Sequence, residues 1–294
     1  MNELFKPRSA AACISEAYAT FCSNFKKIFR KTWLAALVFA VAGTACMMVN
    51  IPDKSIHDAG MSNPMLTFAL MIGAGLLCAV ALGWLLYCLL GVFSDMTKRE
   101  KLRRVVGYFL LIALVGIIIG VLVSGSGLCI NSFVSAEHQA LAIIGTMCVV
   151  ALVIGVAVLP LQFSTMKYLV DKNAKWRDMI GKDYRRGWRY WGFLFLVLLL
   201  TMLIVTIINM VIMIPFGIIM FSQVSNQLGM IDGDASGVPS GFLWLLIITT
   251  VITMFVIAYI EMWLFTTYYY AYGSIEARAA KRQEFLMNTN NIQQ

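Results

Sequence analysis

Residues 183–208 read DYRRGWRYWGFLFLVLLLTMLIVTII and decide the class of fold. The first part alternates aromatic residues with three arginines, and the second part, from Leu194 to Ile208, is almost wholly apolar. A helix of about 20 apolar residues crosses the hydrocarbon core of a bilayer, and aromatic and basic residues collect where such a helix meets the headgroups. The stretch predicts a transmembrane helix entered through a basic-aromatic segment, residues 183–193, which is either an anchor or a binding site.

Composition extends this interpretation to the whole chain. Hydrophobic residues make up 60% of the 294 residues and charged residues only 13%, whereas a soluble domain carries about 25% charged residues. We predict an all-α polytopic membrane protein with a cytoplasmic amphipathic segment (1–32), a six-helix membrane domain (33–272) and a cytoplasmic tail (273–294) that is a short helix with a polar, frayed end. The predicted transmembrane helices are 33–51, 65–93, 105–124, 140–164, 191–221 and 241–265.

The distribution of Lys and Arg predicts the orientation. Six precede the first predicted helix, five separate the second from the third, eight separate the fourth from the fifth, and three follow the sixth, whereas Lys54 alone lies on the other side. Basic loops stay in the cytoplasm, so we expect both termini there and the protein in a bacterial inner membrane. This topology accounts for the net charge of +8 without a nucleic-acid partner. The outer loops are expected to be acidic, with Asp53, Asp58, Glu137, Asp232 and Asp234.

The segment before the first predicted helix repeats the basic-aromatic pattern. Ile14, Tyr18, Phe21 and Phe25 recur at helical spacing and predict an amphipathic helix at the inner membrane interface. NFKKIFRKTW (24–33) and DYRRGWRYWG (183–192) share the same order of aromatic and basic residues. Two explanations of the similarity are open. One is three tandem helix hairpins, as in transporter folds with internal repeats. The other is bare duplication under the rule that keeps basic segments on the cytoplasmic side.

Two hypotheses follow for the basic-aromatic segment. It is either a simple interfacial anchor or part of a pocket for an anionic lipid headgroup, because Arg binds phosphate through a fork of donors and basic pockets near the cytoplasmic leaflet bind such lipids. The candidate headgroup residues are Arg185, Arg186, Arg189, Lys26, Lys27 and Arg30.

A second candidate site lies within the predicted membrane helices. Glu261 is expected to face the bundle and pair with Lys167 or Arg189, since charges inside a bilayer are costly and usually functional. Gln162 and Asn209 either line a polar cavity with Glu261 or form interhelical hydrogen bonds. The alternative for Glu261 is a structural ion pair or a hydrated carboxylate near the interface.

Two further features concern the helices themselves. Pro160 breaks the hydrogen-bond ladder of the fourth predicted helix, and we expect Gln162, Ser164 and Thr165 to satisfy the freed groups. Five glycines are expected to permit close contact between helices: Gly73, Gly75, Gly116, Gly120 and Gly155.

Enzyme chemistry has little support in the sequence. The two histidines, His57 and His138, both fall in predicted outer loops, and no catalytic or metal-binding set converges at one depth. We therefore expect no catalytic residues, no metal and no cofactor.

Two motifs carry a resemblance to known proteins. One is the entry N-F-K-K, Asn24–Lys27, and the other is the returning helix P-L-x-F-x-x-x-x-Y-x-x-D, here Pro160, Leu161, Phe163, Tyr168 and Asp171. They resemble the six-helix membrane domains joined to some bacterial glycerophosphodiester phosphodiesterases, and related stand-alone membrane proteins. The resemblance covers nearly the whole chain and implies the fold. It does not imply phosphodiesterase activity, because the chain has no such domain.

We therefore expect a non-enzymatic protein that binds lipid or another amphiphile, or helps move it, near the cytoplasmic leaflet. The alternative is an accessory or scaffold subunit with no ligand, which binds a membrane protein or a second copy of itself.

Overall fold

The computed structural model describes residues 4–49, 64–94, 96–133, 135, 138–231 and 241–292. All the regular secondary structure in these ranges is α-helical, as predicted. A bilayer offers no hydrogen bonds, so a chain within it satisfies its backbone groups inside helices. The helices are α1 Ala10–Ser23, α2 Phe25–Val49, α3 Pro64–Phe93, α4 Lys98–Phe133, α5 Gln139–Val170, α6 Trp176–Ile180, α7 Lys182–Arg189, α8 Trp191–Ile212, α9 Ile214–Ile231 and α10 Phe242–Ile292.

Six helices among the described residues, α2, α3, α4, α5, α8 and α10, are long and apolar enough to cross a membrane. Large apolar side chains cover their surfaces: Ile117 is 68% exposed, Leu141 78% and Leu152 68%. A continuous apolar surface of this kind is unfavourable in water and suits a hydrocarbon solvent. The six predicted helices are confirmed, and their length and composition are those of a multi-pass membrane protein.

Several helix bounds differ from the prediction. The first transmembrane helix begins at Phe25, not at residue 33. The predicted fifth helix is two helices, because α8 ends at Ile212 and α9 begins at Ile214. Pro215 explains the break, since it has no N–H to donate to the carbonyl four residues earlier. The outer-loop residues of the prediction lie outside the described residues: Asp53, Lys54, His57, Asp58, Glu137, Asp232 and Asp234.

Helix α10 is far longer than predicted. It has 51 residues and, at 1.5 Å per residue, a length of about 75 Å, whereas the hydrocarbon core measures about 30 Å. The helix continues without a break through residue 273 to Ile292. The predicted frayed end is therefore helical over its described residues, and part of α10 projects beyond a bilayer.

The start of α4 has a local cause in the sequence. The backbone N–H of Thr97 donates to the Glu100 carboxylate at 2.9 Å, and the Glu100 N–H donates to the Thr97 hydroxyl at 3.4 Å. This reciprocal capping box satisfies two donors that a helix N-terminus leaves unpaired. TKRE, residues 97–100, therefore begins α4 before the predicted start at residue 105.

Contacts divide the chain into two compact units. Unit 1 comprises Met1–Glu16, Phe93–Leu199 and Thr267–Gln294, and unit 2 comprises Ala17–Val92 and Leu200–Thr266. This division crosses the predicted boundaries at residues 32 and 272, because segments from both ends of the chain belong to unit 1.

Unit 2 contains the NFKK entry. The rings of Phe25 and Phe29 lie with their centroids 5.8 and 5.7 Å from that of Tyr259. The Lys31 ammonium donates to the carbonyl of Gly91 at 3.2 Å. The aromatic residues of this entry therefore pack on α10, while Lys26, Lys27 and Arg30 are exposed.

The predicted role of the glycines is wrong. A Cβ atom added at any of the five would have no atom within 4 Å, apart from the helix's own backbone and its chain neighbours: Gly73, Gly75, Gly116, Gly120 and Gly155. Close approach occurs instead at Gly107 of α4, Gly187 of α7 and Gly273 of α10.

Candidate ligand-binding site

Arg104 joins the start of α4 to the end of α5 in unit 1. Its guanidinium donates to the carbonyl of Tyr168 and, at 2.8 Å, to that of Lys172, and its Cζ lies 5.3 Å from the centre of the Tyr168 ring. A cation at a helix C-terminus pairs with unsatisfied carbonyls and with the negative end of the helix dipole. Arg104 thereby fixes the end of α5, on which several site residues lie.

Pro160 leaves the carbonyl of Val156 without its helical donor, because proline has no N–H. The indole N–H of Trp191 donates to this carbonyl at 3.2 Å, and the Tyr184 hydroxyl donates to the neighbouring Ala157 carbonyl at 3.0 Å. Two aromatic residues of the basic-aromatic segment therefore bind the proline-broken turn.

The predicted compensation at Pro160 is consequently wrong in its details. The Thr165 hydroxyl bonds the carbonyl of Leu161 at 2.7 Å, and the Ser164 hydroxyl lies 3.2 Å from the same oxygen. These bonds lie within the following turn and do not reach the freed carbonyl of Val156. The Oε1 atom of Gln162 is buried and has no hydrogen-bond partner among the described residues.

Gly187 brings α7 against α5. A Cβ atom at this position would lie 2.7 Å from the carbonyl oxygen of Pro160, a distance that real side chains essentially never show. Only glycine therefore permits the approach that places Tyr184 and Trp191 at the broken turn. The basic-aromatic segment has a structural role that neither sequence hypothesis included, while Arg185, Trp188 and Arg189 remain exposed.

Four charged residues form an ion network in unit 1. Lys167 Nζ lies 2.7 Å from Asp183 Oδ1 and 3.6 Å from Glu276 Oε1. Arg186 Nη1 lies 3.1 Å from the same Glu276 oxygen. The network links α5, α7 and α10, and its two cations are matched by two carboxylates. Lys167 and Arg186, both predicted to bind a ligand, are therefore already paired.

The N-terminal strap, residues Leu4–Arg8, lies against α10. The Arg8 N–H donates to Ser274 Oγ at 2.8 Å, and the Ser274 hydroxyl donates to the Arg8 carbonyl at 3.1 Å. A Cβ atom on Gly273 would lie 2.5 Å from the Leu4 carbonyl oxygen, so the strap also depends on a glycine. The backbone of the strap is therefore fixed on α10, and Leu4, Phe5 and Pro7 of the strap line a cavity.

A cavity of about 860 Å³ lies in unit 1 between the strap, the ends of α3 and α5, and α10. Aromatic rings form much of its wall: the Phe93 and Tyr269 centroids are 5.2 Å apart, and those of Phe5 and Tyr272 are 6.4 Å apart. A mostly apolar wall with a few charged groups is typical of small-molecule sites, and the volume lies in their usual range of about 300–1,000 Å³. The charged lining residues are Lys167, Asp171, Lys172, Glu276, Lys281 and Glu284.

The predicted polar site is distributed over both units. Lys167 lines the cavity of unit 1, and Gln162 also belongs to unit 1, whereas Asn209 and Glu261 belong to unit 2. Glu261 is exposed, and no ion pair joins it to another described residue of unit 2. The Oδ1 atom of Asn209 is buried without a hydrogen-bond partner among the described residues. The convergence of these side chains stays a prediction.

The predicted headgroup residues are divided in the same way. Arg185, Arg186 and Arg189 lie in unit 1, and Lys26, Lys27 and Arg30 lie in unit 2. Arg186 is engaged with Glu276, and the other five are exposed. A headgroup pocket that combines the two groups stays a prediction.

The roles of Glu276 and the strap were not predicted from the sequence. Glu276 and Asp183 are acidic residues in segments that are expected to be basic on the cytoplasmic side. Their unusual charge was the sequence signal that could have identified them as partners of basic residues. The strap has no comparable signal, because its contacts with α10 join residues 266 and 270 positions apart.

Comparison with known proteins gives one similarity. Residues 127–271 match a family of unknown function (DUF7544). This range includes α5, the basic-aromatic segment and Lys167, but neither the strap nor Glu276. The chain matches no curated protein and no solved structure.

Proposed function

We propose that the protein is a non-enzymatic, multi-pass protein of a bacterial inner membrane that binds lipid or another amphiphile, or helps move it, near the cytoplasmic leaflet. Both termini are cytoplasmic in this proposal, and the tandem hairpins belong to it. The observation that carries it is the cavity of unit 1, about 860 Å³ in volume.

The position of the cavity supports a ligand that is partly in the membrane. It lies where α3 and α5 end, next to the basic loops that the orientation rule assigns to the cytoplasm. Its wall combines aromatic and aliphatic side chains with lysines and carboxylates. Such a wall fits a molecule with an apolar body and a charged end, since each part finds a matching surface.

Native mass spectrometry of the full chain, extracted gently from its own membranes, tests this proposal. We expect a bound lipid or small amphiphile on the wild-type protein and its loss when Ala280→Trp narrows the cavity. Ala280 lines the cavity and is exposed, so the larger side chain does not disturb a packed core. Ala151→Trp, at an exposed position of α5 outside the cavity, is the matched control. Equal retention by all three chains contradicts the proposal.

A scaffold role is the second candidate, and the end of α10 favours it. Phe285 is 70% exposed, Leu286 53% and Met287 62%, in a stretch whose other residues are mostly polar. Adjacent exposed apolar residues on a projecting helix suit a contact with another protein. This candidate predicts a stoichiometric protein partner in the same spectra, lost in Phe285→Ser, and no retained small molecule.

A further inference from the structure

The charges around the cavity are balanced, whereas a site for an anion alone is expected to carry an excess of cations. Three lysines and three carboxylates line it: Lys167, Lys172, Lys281, Asp171, Glu276 and Glu284. A pocket selected for a phosphate alone concentrates cations, because a nearby carboxylate repels the ligand.

Two of the six charged lining residues, Lys167 and Glu276, already form ion pairs within the protein. Lys167 lies between Asp183 and Glu276, and Glu276 also pairs with Arg186. These partly buried groups hold α5, α7 and α10 together, so a ligand that took one of them would leave its partner uncompensated.

Four charges remain for a ligand. No ion pair joins Asp171, Lys172, Lys281 or Glu284 to another described residue. Lys172 and Lys281 are exposed cations, and Glu284 is an exposed anion. Asp171 is half-buried, and one of its oxygens accepts the Asn173 N–H at 2.9 Å, which leaves the second oxygen for another donor. The unpaired set therefore has two positive and two negative members.

We infer that this cavity takes the headgroup of a zwitterionic phospholipid, with the phosphate on Lys172 and Lys281 and the ammonium on Asp171 and Glu284. A phosphate needs cationic donors, and an ammonium needs carboxylate acceptors. The acyl chains follow the apolar wall of Phe5, Phe93 and the α10 tyrosines toward the transmembrane helices. This inference rests on the proposed function and specifies the ligand class of the same site.

The test offers the purified full chain an equimolar mixture of phosphatidylethanolamine and phosphatidylglycerol with identical acyl chains. Native mass spectrometry measures the occupancy of each lipid. We expect the zwitterionic lipid to exceed the anionic one about two- to fivefold, since exposed ion pairs contribute up to about that factor. Glu284→Lys is expected to invert the preference, and Glu284→Asp to keep it. Glu16→Lys makes the same charge change at an exposed position of α1 outside the cavity and is expected to leave the preference unchanged.

The outcomes separate this inference from the proposed function. If neither phospholipid is retained, the zwitterionic assignment fails, and the proposed function fails with it only when the protein extracted from its own membranes also carries no lipid or other amphiphile. If both are retained equally, if phosphatidylglycerol prevails on the wild-type chain, or if Glu284→Lys and Glu16→Lys act alike, the zwitterionic assignment alone is overturned. The deacylated headgroup, glycerophosphoethanolamine, is expected not to displace the bound lipid, and its displacement of that lipid would overturn the assignment to a membrane lipid.

Discussion

The bond between Trp191 and the broken turn of α5 yields the sharpest prediction about folding. Trp191→Phe removes the indole N–H and keeps an aromatic ring. The ring matters, because Trp191 stacks on Phe195 with centroids 5.2 Å apart and planes 4° apart. The substitution therefore leaves the carbonyl of Val156 without a donor, since Pro160 cannot supply one, and changes little else.

The magnitude follows from the environment of that carbonyl. An unsatisfied buried acceptor costs about 1–3 kcal/mol, whereas hydrogen bonds between transmembrane helices contribute about 0.6 kcal/mol on average and about 1.7 at most. The distance of 3.2 Å is at the long end for an N–H donor. We therefore expect the free energy of unfolding to fall by about 1 kcal/mol.

The same substitution, Trp191→Phe, is then measured in a protein that also carries Pro160→Ala. Alanine restores the helical N–H to the Val156 carbonyl, so the indole becomes dispensable. Trp191→Phe should then cost less than about 0.5 kcal/mol, and the difference between the two backgrounds measures the coupling. The control is Trp188→Phe, which changes an exposed ring and is expected to cost nothing measurable in either background.

Equilibrium unfolding in mixed micelles with increasing dodecyl sulfate, followed by far-ultraviolet circular dichroism, measures these free energies. Circular dichroism is preferable to fluorescence, because the substitutions remove tryptophans. An equal cost of Trp191→Phe with and without Pro160 would contradict this prediction, since it would show that the indole does not serve the freed carbonyl.

Other predictions use the same structure. Lys167→Met should lower the free energy of unfolding by about 2–3 kcal/mol by leaving the Asp183 carboxylate unpaired, and adding Asp183→Asn should recover at least about 1 kcal/mol; no recovery would contradict the ion network. Gly273→Ala should displace the N-terminal strap and speed amide exchange in residues 4–8 without loss of helicity, and unchanged exchange would contradict the close contact. Exposed Cys22 should react with a maleimide in inside-out vesicles and not in right-side-out ones, and labelling of Cys22 from the outside would contradict the proposed orientation. Cys13 should stay unreactive until the protein unfolds, because burial raises the pKa of its thiol to about 11.

The transmembrane helices could be predicted because their signal is local. A long apolar run such as Leu194–Ile208 specifies a helix in lipid by composition alone. The break at Met213 was also readable in principle, because Pro215 removes a backbone donor. The full length of α10 could not be predicted from the sequence, because the residues after 273 are mostly polar and are typical of a solvated chain end. Packing of Ser274 and Ile275, both fully buried, keeps that part of the helix ordered.

The site was less predictable because its contacts are distant in sequence. Lys167 was identified as a candidate, but its carboxylate partners within unit 1 lie on α7 and α10. The arginines of the basic-aromatic segment suggested a phosphate site, whereas the structure uses Arg186 in an ion pair and Trp191 to satisfy a carbonyl. Periodicity shows which residues face together within one helix, but not which helices meet.

The most direct test of the account is to capture whatever occupies the cavity in the intact membrane. A photoactivatable amino acid at Ala280, which lines the cavity, is compared with one at Leu152, which is 68% exposed on α5 and reports the bulk lipid. After irradiation in native membranes, mass spectrometry identifies the attached species. We expect a phospholipid adduct at Ala280 that is enriched in one zwitterionic class relative to the adducts at Leu152. Adducts of the same composition at both positions, or only protein adducts at Ala280, would contradict it.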